Sequence, residues 1–77
     1  MVHHWRASDN LVASFRPGEW QLYDRGTLVG RIEYGRVNGA ARLRGLSPEG
    51  RVLGYETELE TACDRMWEWY VRSRGGA

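Results

Sequence analysis

A short apolar strand running straight into a strongly amphipathic helix constrains this chain more than any other stretch: residues 51–72 read RVLGYETELETACDRMWEWYVR. Thr57 stands at an N-cap position and Glu60 follows three residues later, the spacing at which two side chains satisfy the orphaned amides of a helix start. Glu58 and Glu60 place negative charge in the first turn, and Arg72 and Arg74 place positive charge at the far end, as the helix dipole favours. Gly75-Gly76 supplies the stop.

Leu59, Ala62, Cys63, Met66 and Tyr70 recur at i, i+3, i+4 and i+7 and predict one buried face. Trp69 falls on one flank of that stripe, and Trp67 and Val71 fall on the other. At about 100° per residue the apolar arc therefore spans roughly 200°, more than one sheet covers. Either the N-terminal segment folds over a flank, or the indole rings lie half buried as tryptophans often do, or a flank is held for a partner or a second copy of the chain.

The remaining chain reads as strands and turns. Residues 1–10 (MVHHWRASDN) show no periodicity and are expected to form an arm, with Trp5 its packing residue. Leu11 to Phe15 is ambiguous between a short strand and a helical turn opened by Ser8 or Asp9, and Pro17-Gly18 ends it. Glu19 to Tyr23 alternates with Trp20 and Leu22 on one face, and Asp24-Arg25-Gly26 makes a tight turn. Thr27 to Tyr34 then puts Leu28, Gly30, Ile32 and Tyr34 inward and Val29, Arg31 and Glu33 outward. Asn38-Gly39 is a hairpin dipeptide, one or two residues later than the shortest loop wants. Ala40 to Leu46 points Ala41 and Leu43 inward and Arg42 and Arg44 outward; Ser47 to Gly50 turns; Arg51 to Tyr55 is the last strand. The expected fold class is α+β: a four-stranded antiparallel meander with one C-terminal helix packed on one face, occupying residues 11–77 after the arm.

Seventy-seven residues make one domain with a small core. No apolar run approaches the roughly 18 residues of a membrane span, and no signal-peptide h-region opens the chain, so a cytoplasmic location is expected. The lone cysteine, Cys63, lies on the core stripe and reads as a small buried hydrophobe. All eleven basic residues are arginine, alongside ten glycines, the usage of a GC-rich genome such as that of an actinobacterium or its phages.

Catalytic chemistry has no foothold here. No phosphate loop, paired-cysteine spacing or serine elbow occurs. His3 and His4 sit in the arm without acidic or cysteine neighbours to complete a metal site or a catalytic set. Glu60, Asp64 and Glu68 form a solvated ridge. Neither enzyme activity, a cofactor, a metal nor a small-molecule substrate is expected.

Charge is segregated instead. Residues 25–51 carry six arginines against Glu33 and Glu49, whereas residues 52–77 carry five acids against Arg65, Arg72 and Arg74. Arg31, Arg42 and Arg44, with Tyr23 nearby, would gather on the outer sheet face, where guanidinium groups grip phosphates and base edges. The strand-to-helix junction residues Gly54, Thr57, Glu60 and, displaced by one position, Ala62 resemble those of the plant GCC-box-binding domain and the amino-terminal domain of transposon integrases. That resemblance, over residues 27–70, implies a three-stranded sheet backed by one helix, reading the DNA major groove through Arg31, Arg42 and Arg44.

Two functions remain open on these grounds. The first is a small non-catalytic effector that binds another protein, or a copy of itself, through Trp67, Val71 and Trp69 or through the arginine-rich sheet. The alternative is a double-stranded DNA-binding regulator using Arg31, Arg42, Arg44 and Tyr23. A pI near 8.0 favours the first, because duplex affinity rests chiefly on phosphate neutralisation.

Overall fold

The tight turns set the topology. The computed structural model describes residues 6–75. A single 3₁₀ turn (Ala7–Asn10) leads into strands β1 (Leu11–Ala13), β2 (Glu19–Asp24), β3 (Thr27–Val37), β4 (Ala40–Leu46) and β5 (Val52–Glu56), followed by helix α1 (Leu59–Gly75). Both central hairpins close on two residues in the left-handed region: Arg25 and Gly26 between the paired Asp24 and Thr27, and Asn38 and Gly39 between the paired Val37 and Ala40. Their twist matches that of the flanking strands. Asn38-Gly39 is thus no late turn, because β3 continues three residues past Tyr34 to meet it.

Among the described residues the sheet is an open antiparallel meander in the order β1-β2-β3-β4-β5, of five strands rather than the four expected. The added strand is the ambiguous Leu11 segment. Leu11 pairs with Leu22 and Ala13 with Trp20, and the Ser14 amide donates to the Glu19 carbonyl at 2.9 Å. Three residues are too few to show a period, so only the partner strand decides their conformation.

α1 lies across one face. Ala62, Cys63 and Met66 are buried against Leu22, Val29, Ile32 and Leu43, with Leu59, Trp67 and Tyr70 packed partly against the same cluster. Ala7, 1% exposed, joins it, so the 3₁₀ turn is part of the core. The helix starts one residue later than the Thr57 cap implies: the Glu58 carbonyl accepts from the Ala62 amide at 3.0 Å. Glu60 pairs with Arg6 instead of turning back to the helix start.

Simple alternation is broken at two register shifts, one between β2 and β3 and one at Gly45/Leu46, where Leu53 is the extra residue of β5. The register shifts between Leu22 and Tyr23, so that Leu22 faces Gly30 while Tyr23 faces Leu28. Val29 is the extra residue of this bulge and turns into the core, fully buried, where strict alternation puts it outside. Tyr34 shares a face with its partner Leu43, which is buried, yet stays 57% exposed, so the inward position expected of it does not bury it. Gly30 and Gly45 let Met66 settle on the sheet: a Cβ at Gly30 would stand 2.7 Å from Met66 Sδ, and one at Gly45 3.4 Å from its Cε.

Cys63 is fully buried, and that burial, with Asp64 and Glu60 adding to it, pushes the thiol up to about 11. A thiol raised in the folded state contributes stability that is complete below its unfolded value near 9.0 and is lost as pH climbs through 11. The native protein is expected to resist a thiol reagent at pH 8 and to react on unfolding, and its melting temperature should decline between pH 9 and 11. A Cys63→Ala variant with an equally steep decline would remove Cys63 as the cause.

Candidate protein-binding surface

The outer sheet face is a ladder of cross-strand neighbours. Glu19, Glu33, Arg44 and Tyr55 stand side by side on β2, β3, β4 and β5, with Gln21, Arg31 and Leu46 in a neighbouring row. The geometry joins these charges to one another. Arg44 Nη2 donates to Glu33 Oε1 at 2.8 Å, which also raises the guanidinium's pKa, and Arg31 Nη1 lies 3.9 Å from both Glu19 and Glu33. Arg42 donates to the Ala41 carbonyl at 2.7 Å, and the Tyr23 hydroxyl to Gln21 at 3.1 Å. The structure therefore brings Arg31 and Arg44 together as expected, but with carboxylates between them. A phosphate approaching this face meets a nearly balanced surface, and its contacts would compete with pairs already made.

The helix separates its tryptophans onto two flanks with different surroundings. On one, Trp67 is half-buried and stacks at a tilt on Tyr70, with ring centroids 5.6 Å apart. Asn10, Asp24 and Arg25 border a hollow beside it, so the N-terminal turn and the β2–β3 turn both reach this flank. Further along, the Tyr70 hydroxyl donates to Asp24 Oδ2 at 2.9 Å, and Arg74 donates to that hydroxyl at 2.9 Å while lying over the Tyr70 ring. This latch ties the end of α1 to the β2–β3 turn. Val71, 52% exposed, borders the same region. The N-terminal turn and the β2–β3 turn thus border the Trp67 side of the excess apolar arc, while Val71 stays exposed.

The Trp69 flank is different. It overhangs β5, the edge strand, and between them lies a cleft of about 230 Å³ lined by Leu53, Gly54, Ala62, Arg65, Met66 and Trp69. The hollow exists because two glycines pair across its floor, Gly45 on β4 with Gly54 on β5. A Cβ on Gly54 would meet nothing within 4 Å. At the mouth Arg65 Nε lies 3.3 Å from Glu56 Oε1, the guanidinium side chain 70% exposed and the carboxylate 26%. Trp69 was picked out by periodicity. No sequence pattern marks Gly45, Gly54 and Arg65 as a site, because only the strand register puts the glycines opposite each other beneath the helix.

A second apolar spot also escaped the sequence reading. Phe15 is 94% exposed in the β1–β2 connection, whose Gly18 carbonyl accepts from the Tyr34 amide at 2.7 Å. His3, His4 and Trp5 lie outside the described residues. Among the described residues no cluster of three or more metal-ligating side chains occurs, and no helix is long and apolar enough to cross a membrane.

No family model, curated protein or solved structure matches this chain. The resemblance to GCC-box-binding and integrase domains therefore rests on the junction residues alone, and the sheet has five strands where that resemblance implies three.

Proposed function

We propose that this chain is a small non-catalytic accessory protein that acts by binding another protein, with the Trp69 flank of α1 as its contact surface. One observation carries this reading: the outer-face arginines are engaged with Glu19, Glu33 and the Ala41 carbonyl, whereas the Trp69 flank forms a largely apolar cleft beside an open sheet edge. Half-buried aromatic side chains rimmed by charge are the usual make-up of an interface hot spot. Trp67 and Val71, on the other flank, border the N-terminal turn and the Asp24 latch.

Site-specific photo-crosslinking tests the assignment. A benzophenone side chain in place of Arg72, one turn from Trp69, is expected to give a discrete protein adduct in actinobacterial extracts. The same group in place of Val12, on the opposite sheet edge, should not. Adduct formation at 72 should be suppressed by excess unlabelled protein and not by its Trp69→Ala variant. The DNA reading predicts otherwise: wild-type protein would shift duplex at low salt, the double change Arg42→Ala with Arg44→Ala would abolish the shift, and affinity would fall steeply with salt. That pattern, with no adduct at 72, would move the function to the sheet.

A further inference from the structure

We infer that the free end of the β3–β4 hairpin, Gly35 to Arg42, is a second binding site that enters the major groove of duplex DNA, with Arg36 and Arg42 each meeting the phosphates of one strand. This goes beyond the protein-binding reading, and none of the eight residues lines the Trp69 cleft.

β3 and β4 outrun their neighbours. Glu33 is the last β3 residue paired with β2, the Tyr34 amide still donates to the Gly18 carbonyl, and Leu43 is the last β4 residue paired with β5. Past that line the pairs Gly35–Arg42, Arg36–Ala41 and Val37–Ala40 stand as a two-stranded ribbon closed by Asn38-Gly39. At about 3.3 Å per residue the three pairs reach about 10 Å, with the strands about 4.8 Å apart. The major groove is about 12 Å wide and about 8.5 Å deep, and it admits such a ribbon. Between the arginines the ribbon carries only Val37, Asn38, Gly39, Ala40 and Ala41, so no bulky side chain stops its entry.

The charge of the ribbon is not balanced as that of the sheet face is. From Tyr34 to Pro48 the chain holds Arg36, Arg42 and Arg44 and no acid. Arg36 donates to the Gly39 carbonyl at 2.8 Å and Arg42 to the Ala41 carbonyl at 2.7 Å, neutral acceptors that leave both charges in place. The carboxylates at the base of the ribbon, Glu33 and Glu56, are taken up by Arg44 and Arg65. Arg16, exposed in the β1–β2 connection, adds a third arginine at this end, and Glu58, exposed two positions past Glu56, is the one acid set against the three.

Placement selects the ligand. Strand alternation puts Arg36 on the helix side of the ribbon, opposite Ala41, and Arg42 on the outer side, opposite Gly35. A flat anionic surface would engage one face of such a ribbon, whereas a groove walled by two phosphate backbones engages both.

A short duplex of mixed sequence is expected to be shifted by the wild-type protein at low salt, with affinity falling about 10–40-fold between about 50 and 200 mM, as two or three phosphate contacts require. Arg36→Ala and Arg42→Ala should each weaken binding about tenfold at the lower salt and flatten the salt slope by about one, at unchanged melting temperature, and Arg36→Lys should restore the slope. Joint removal of the neutral pair by Glu33→Ala with Arg44→Ala should leave the shift unchanged. Methylation of guanine N7, which lies in the major groove, should exclude duplexes from the shifted band. Because the two sites share no residue, Arg36→Ala should leave the adduct at position 72 in place. The proposal is overturned by the absence of any shift, by equal binding to single strands, by retention of methylated duplexes, or by a wild-type protein that binds anionic vesicles and no duplex.

Discussion

Met66→Ala is expected to destabilise the fold by about 2–5 kcal/mol, the range for large-to-small changes in a core. Met66 is 2% exposed at the centre of the helix's buried stripe, with its sulfur over Gly30 and its methyl over Gly45. Two glycines in the facing strands leave no side chain able to swing into the space. A domain of this size holds only about 5–15 kcal/mol in total, so the loss is a large share of it. Leu59→Ala, at a position only partly buried near the start of the helix, should cost less. Urea titration followed by circular dichroism measures both. A loss below about 1 kcal/mol at Met66 would mean that α1 slides to refill the gap and is not seated by Gly30 and Gly45.

Gly30→Ala is expected to be the most damaging of the small substitutions. The added Cβ would lie 2.5 Å from the Leu46 carbonyl oxygen and 2.7 Å from Met66 Sδ. The sulfur belongs to a flexible side chain and can shift, but the carbonyl belongs to the adjacent strand, so β3 and β4 must separate. Overpacking of this kind costs about 1–3 kcal/mol. Gly54→Ala is the matched control, with nothing within 4 Å of its new Cβ, and should change stability little. The double variant Gly30→Ala with Met66→Ala relieves the sulfur contact and leaves the carbonyl one, so it should remain less stable than Met66→Ala alone. Thermal melts in which Gly30→Ala matches Gly54→Ala would show that the helix sits further from the sheet than this structure has it.

The outer sheet face shows how composition alone can mislead. Counting charges over residues 25–51 makes a basic sheet, since glutamates are few there. Cross-strand register nevertheless places Glu33 between Arg31 and Arg44 and brings Glu19, from the preceding strand, against Arg31. Such partly exposed pairs contribute little to stability, on the order of 0–1 kcal/mol each, but they decide what the face can offer a phosphate. The excess apolar arc was legible as an excess, whereas its division into a side bordered by two turns of the chain and a side with an open cleft was not.

What the sequence determined by itself is local. The helix and its buried stripe follow from a 3.6-residue period, the two left-handed hairpin turns from glycine beside asparagine or arginine at tight corners, and the burial of Cys63 from its place on that stripe. Tertiary structure decided the fifth strand, the inward turn of Val29, the late start of α1 and the cleft beneath Trp69. Each depends on a partner far away in the chain: β2 for Leu11–Ala13, the β2–β3 bulge for Val29, Arg6 for Glu60, and the pairing of Gly45 with Gly54 for the cleft. Local periodicity reports which way a side chain points relative to its neighbours, and only strand register and packing report what stands opposite it.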